Sequence, residues 1–201
     1  MRRRTLDMLL STGGLVVAAV LIVAGALGLW AQSFVNSNVH DQLAQQKVFF
    51  PSAAGIAAQH NAEITKYVTP YAGQQVVTGQ QAEVFADHYI KVHLVEVAGG
   101  QTYSQVSAAF ITMKPTDPNY QQVAGQRQTL FQGETLRGLL LNAYAFGKMG
   151  EIAGIAAIVS FIAAGAMLLL SALGFAHLRR VAPEAEVFPK LGARTPAPVE
   201  Q

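Results

Sequence analysis

The sequence predicts an all-α membrane protein in which two transmembrane helices flank an irregular helical extracytoplasmic domain. Three observations carry that expectation. No charged residue occurs from Met8 to Val35 or from Ile152 to Ala176, and roughly 20 apolar residues suffice to cross a bilayer core as a helix. Only 13% of the 201 residues are charged while 51% are apolar; an ordinary soluble domain carries about twice that charge. No stretch of useful length alternates apolar and polar residues as a half-buried strand would.

Residues 1–7 are read as a cytoplasmic N-terminus and residues 8–31 as the first span. Arginines followed by an apolar run also begin a cleaved secretory leader, whose apolar core has about 7–15 residues. This run is longer, so it is read as a retained anchor. Residues 32–151 form the extracytoplasmic domain. Val35, Val39 and Leu43 recur every four residues, which extends the first helix outward until Pro51 stops it. A loop with one or two short helices follows. Thr78 then caps a helix that Gly99 and Gly100 end, and Thr102 starts another short one. Asp117 caps the last helix with Pro118 in its first turn, and no strong stop precedes the second span, residues 152–176. Residues 177–201 hold half of the eight prolines and are read as a disordered cytoplasmic tail.

Orientation follows from the flanks. Arg2, Arg3 and Arg4 precede the first span, and His177, Arg179 and Arg180 follow the second. Basic residues beside a span favour the cytoplasmic side, which places both termini inside a plasma membrane. The domain between the spans carries seven Lys/Arg against eight Asp/Glu, so nucleic acid has no support as a partner. Cysteine is absent, which excludes disulfides, thiol catalysis and cysteine metal sites.

The densest run of titratable residues is "FADHYIKVH", Phe85 to His93. On a straight helix His88 and His93 diverge by about 140°, whereas a shared metal needs a spacing of three or four. Asp87 and Lys91 are spaced for a surface ion pair. His93 falls among Ala82, Ala86, Tyr89 and Val97 on the apolar face, as a core imidazole bonded to a neighbouring carbonyl or carboxylate, or as a sensing residue. His60 and Glu63 have a three-residue spacing, but no second pair accompanies them. On the last helix Arg127, Glu134 and Arg137 form a polar network, the first two sharing a face with Leu130, Phe131 and Leu141; buried charges demand such pairing. Trp30, Phe34, Tyr144, Phe146 and Lys148 make an interfacial belt. Gly150 and Gly154, continued by Ala156, Ser160 and Ala164, form a small-residue seam for helix packing. No catalytic, cofactor-binding or metal residues are assigned.

"LFQGETLRGLLLNAYAFGKMGEIA" and "FADHYIKVHLVEVAGGQTYSQVSAA", with the N-terminal stretch from Thr5 to Leu43, resemble a group of two-helix integral membrane proteins of actinobacteria. Its members often carry the label of an aromatic-ring-opening dioxygenase of the LigA kind. That chemistry needs an iron site, and no cluster of histidines and carboxylates at ligand spacing occurs. The resemblance therefore implies location and topology rather than an activity. The expected function is that of a structural or accessory protein, without catalysis. Its expected partners are the lipid bilayer and a membrane or envelope protein or a second copy of the chain. The alternative is a ligand-sensing module signalling through a membrane partner.

Overall fold

The structure, a computed structural model, describes residues 3–180; the first two residues and the tail 181–201 lie outside the described residues. The fold is all-helical. In chain order the elements are α1 (Arg3–Gln46), α2 (Ala53–Ala57), α3 (Ala62–Val68) with a 3₁₀ turn (Thr69–Tyr71), α4 (Gly79–Phe85), a π-turn (Ala86–Ile90), α5 (Lys91–Ala98), α6 (Tyr103–Thr112) and α7 (Tyr120–Leu178). They divide into two compact units.

The first unit comprises residues 3–29 of α1 and 155–180 of the C-terminal part of the chain. The two helices run antiparallel: Ser11 meets Gly174, Gly14 meets Ser171, and Gly25 meets the ring of Phe161. Ser11, Ala18 and Gly25 on one helix, and Ala157, Ala164 and Ser171 on the other, are buried at intervals of seven. That is the interval of helices packed at a shallow left-handed crossing. The seam thus includes Ala157, 1% exposed, while Ala156 faces outward. Ala164 of the expected series lies in the seam, 2% exposed, whereas Ala156 follows Gly154 by two positions, about 200° round the helix from it. Ser160 turns its hydroxyl back to the Ala156 carbonyl, 2.8 Å away. Away from the seam large apolar side chains point outward, among them Leu10 (66%), Val20 (63%) and Ile162 (68%). Each helix is long and apolar enough to cross a membrane, with only 17% of its most apolar window buried.

The second unit, Trp30–Gly154, has its own core. Val39 and Leu43 of α1 and Leu140 of α7 enclose Phe50, Ile56, Ile64, Val68, Val76 and Phe85. The short helices are fixed by their ends. Ser52 caps α2, Asn61 caps α3, and Thr78 and Thr102 form reciprocal capping boxes with Gln81 and Gln105. Gly99, at φ 58°, closes α5 in the left-handed conformation. Helix α1 stops at Gln46, before Pro51. Gln75 donates its side-chain amide to the Ala44 carbonyl (2.7 Å), and residues 48–50 pair instead with 74–76 through two backbone hydrogen bonds of 2.9 Å. Helix α7 begins at Tyr120 rather than at Pro118, because Asp117 uses its carboxylate for the Asn119 N–H (2.8 Å) and its carbonyl for that of Tyr120 (3.1 Å).

The π-turn changes the reading of the 78–98 helix most. The Lys91 N–H reaches back five residues to the Ala86 carbonyl, so the turn holds one residue more than an α-turn. Every later side chain is displaced by one position. Leu94 and Ala98 therefore lie in a second apolar cluster with Val106 and Leu130, while Val97 is 40% exposed.

Candidate functional site

The polar residues picked out on the last helix separate into two places. Arg127 Nε donates to Ser107 Oγ (3.1 Å), and its guanidinium lies 5.1 Å from the Phe110 ring centre. Arg137 sits about a quarter exposed and binds the same Asp87 oxygen through Nε (3.0 Å) and Nη2 (2.7 Å), with Glu134 at 3.1 Å from Nη1. Asp87 thus pairs across to α7 instead of with exposed Lys91. The inward face of α7 follows Leu130, Gly133, Arg137 and Leu140, one position around the helix from the expected face. Phe131 (53%) and the Glu134 side chain (44%) are exposed for that reason. Burial is the largest influence on Arg137 and disfavours its charge. The hydrogen bonds and charges of Asp87 and Glu134 together outweigh it, so the pKa lies above its ordinary value.

The π-turn places its other polar groups just as specifically. His88 Nδ1 lies 2.8 Å from Glu63 Oε1, and the ring stacks on Tyr67 at 3.8 Å between centres. His93 donates from Nδ1 to the Tyr89 carbonyl at 2.7 Å and is half-buried. The two histidines face different neighbours. Among the described residues no three His, Cys, Asp or Glu side chains are grouped to hold a metal.

A cleft of about 640 Å³ in the second unit brings more polar groups together than either cluster. Glycines build it. Gly79 at the start of α4 touches α7 so closely that a Cβ there would stand 3.0 Å from the Ala143 carbonyl oxygen and 3.3 Å from Gly147 Cα. Gly150 and Gly154, expected to let helices approach, face α1, and the room they leave is taken by its side chains. Asn36 packs on Gly150, and Gln32 packs on Gly154. Above these amides the walls carry His40 and Asp41 from α1, Gln80 from α4, and Tyr144, Lys148 and Glu151 from α7. Lys148 is bonded to Glu151 at 2.6 Å, with its ammonium 5.9 Å from the Tyr144 ring centre. That hydrogen bond, followed by the charge of Glu151, raises the Lys148 pKa.

The arrangement can bind but shows no nucleophile held by a base. Its one lysine is engaged by a carboxylate, and the remaining lining is dominated by amides and hydroxyls, which both donate and accept. Sequence reasoning treated Tyr144 and Lys148 as belt residues and passed over Gln32, Asn36 and His40. The available signal was their spacing: positions 32, 36 and 40 make one polar ridge at helical intervals of four. A second, apolar groove of about 380 Å³ lies between Phe34–Gln46 of α1 and Leu139–Phe146 of α7. Comparison of the chain with protein-family models, with curated proteins and with solved structures found no match.

Proposed function

We propose that the chain is a two-span protein of the plasma membrane, with both termini cytoplasmic, whose domain Gln32–Glu151 lies outside and serves as an accessory module for a membrane or envelope partner. The resemblance to two-helix actinobacterial membrane proteins supports this location. So does the outward-facing apolar surface of the two long helices, because a core helix of a soluble domain would bury that surface.

The observation that carries the accessory role is the open groove between α1 and α7. Leu139 and Phe146 are 62% and 50% exposed there, and none of the lining residues is charged. An amphipathic helix of a partner can lay its apolar face into such a groove, with Asn38 and Gln42 as rim donors and acceptors. Purification of the full chain in mild detergent is expected to return a stoichiometric complex. Leu139→Asp and Phe146→Asp should dissociate it without changing the melting of the chain, because both side chains are already solvent-facing. A chain that purifies alone, or a complex indifferent to both substitutions, would sink the reading.

The polar cleft supports a second reading, recognition of a small ligand by the outer domain with output through that partner.

A further inference from the structure

We infer that the glycine-floored cleft binds a neutral polyhydroxylated ligand, the sugar of a glycolipid headgroup or of a free saccharide. The inference rests on the ligand-recognition reading and gives it a chemical class.

Charge argues first. Lys148 is the cleft's one Lys or Arg, and its ammonium is taken up by Glu151 at 2.6 Å. An anionic ligand would meet the carboxylates of both Glu151 and Asp41, and no second Lys or Arg lines the cavity to offset them. The groups left available are mainly the amides of Gln32, Asn36 and Gln80 and the Tyr144 phenol. An amide side chain presents a donor pair and an acceptor side by side, and a sugar hydroxyl likewise donates and accepts. A hydroxyl-rich ligand can therefore satisfy these groups without importing charge. The ring of Tyr144 adds an apolar face of the kind that packs on a sugar's C–H surface.

Position argues second. Gln32 lies against Gly154, where an added Cβ would collide with the amide, and Asn36 lies against Gly150, where a Cβ would stand 3.0 Å from its amide oxygen. Both amides are already seated against α7, and groups in place before a ligand arrives lose less freedom on binding. The size suits the class, since cavities of about 300–1,000 Å³ take small organic ligands.

Titration calorimetry on the full chain in nanodiscs tests the assignment. Maltose is the free-sugar probe, and nanodiscs doped with glucosyl diacylglycerol, against undoped ones, are the lipid probe. Spermidine serves as a cationic challenge to Asp41 and Glu151. Saturable binding of either sugar probe is expected, weakened at least tenfold by Gln32→Ala with Asn36→Ala and measurably by Gln80→Ala, an exposed position that folding does not depend on. Gln45→Ala, on the same helix outside the cleft, should bind as the parent does. Binding of maltose alone identifies a free saccharide, and binding of the glycolipid alone identifies a headgroup. Spermidine binding with neither sugar overturns the sugar class while keeping a ligand site. No binding of any probe by the folded parent overturns both, and equal loss in Gln45→Ala overturns the placement.

Discussion

Arg137 donates three hydrogen bonds to two carboxylates, and the acceptors differ in both exposure and origin. Asp87 comes from the π-turn and is 29% exposed, whereas Glu134 lies one turn away on the same helix at 44%. A bridging contact between elements opposes their separation; an exposed neighbour on one helix does little. Asp87→Ala is therefore expected to destabilise the folded domain by about 1.5–3 kcal/mol, the range for hydrogen bonds to charged groups. Glu134→Ala should cost only about 0.5 kcal/mol, as surface pairs do. Thermal melts of both variants in detergent compare them directly, and equal losses would refute the assignment. The raised pKa of Arg137 means that its contribution is complete below the ordinary arginine range and is lost only as pH rises through the higher folded value. That lies beyond working conditions, so alkaline titration should leave this pair intact. Sequence spacing suggested Glu134 as the partner because three residues separate it from Arg137; nothing in linear order could bring Asp87 there, 50 residues earlier.

At the scale of elements, the caps were legible because each is a local device: Thr78 with Gln81, Thr102 with Gln105, Gly99 at the end of α5. The period of the apolar faces was legible only where helices keep 3.6 residues per turn. The π-turn breaks that period without any proline or glycine in Ala86–Ile90 to announce it, and it moved the buried face from Val97 to Leu94. Leu94→Ala should accordingly cost about 2–4 kcal/mol, as buried leucines do. Val97→Ala should stay within about 0.5 kcal/mol. Denaturant melts giving the reverse order would show an unbroken α-helix there. The same argument distinguishes the seam residues of the first unit. Ala157→Leu forces a large side chain between closely packed backbones, whereas Ala156→Leu points away from the partner helix. The first should lower the melting temperature in detergent by several degrees and the second leave it nearly unchanged; equal effects would contradict the seven-residue interval. The cleft was the least legible feature, because its lining is gathered from three helices by contacts of Gly79 and Gly154 that a linear reading can only describe as small residues.

For the molecule as a whole, the two apolar blocks were plain in the sequence because each is an uncharged run, Met8–Val35 and Ile152–Ala176, long enough to cross a bilayer core as a helix. The proposed topology makes a direct demand. The natural chain has no cysteine, so single cysteines at Lys66 and Ala193 report without background. An impermeant maleimide on intact cells should label Lys66→Cys and spare Ala193→Cys until the cells are opened. Labelling of Ala193→Cys alone would invert the orientation. In that topology the seam also has a consequence for biosynthesis. Gly14 and its neighbour Ser171 lie far apart in the chain, so the first is made well before the second. At about 5–20 residues per second, translation leaves the first span waiting roughly 8–30 s for the second. A face of glycine, alanine and one serine hydroxyl can wait in lipid at small cost, because it exposes no charge and association in a bilayer rests on close packing rather than on escape from water. The composition that lets the finished helices touch is thus also the one that lets the first be inserted alone.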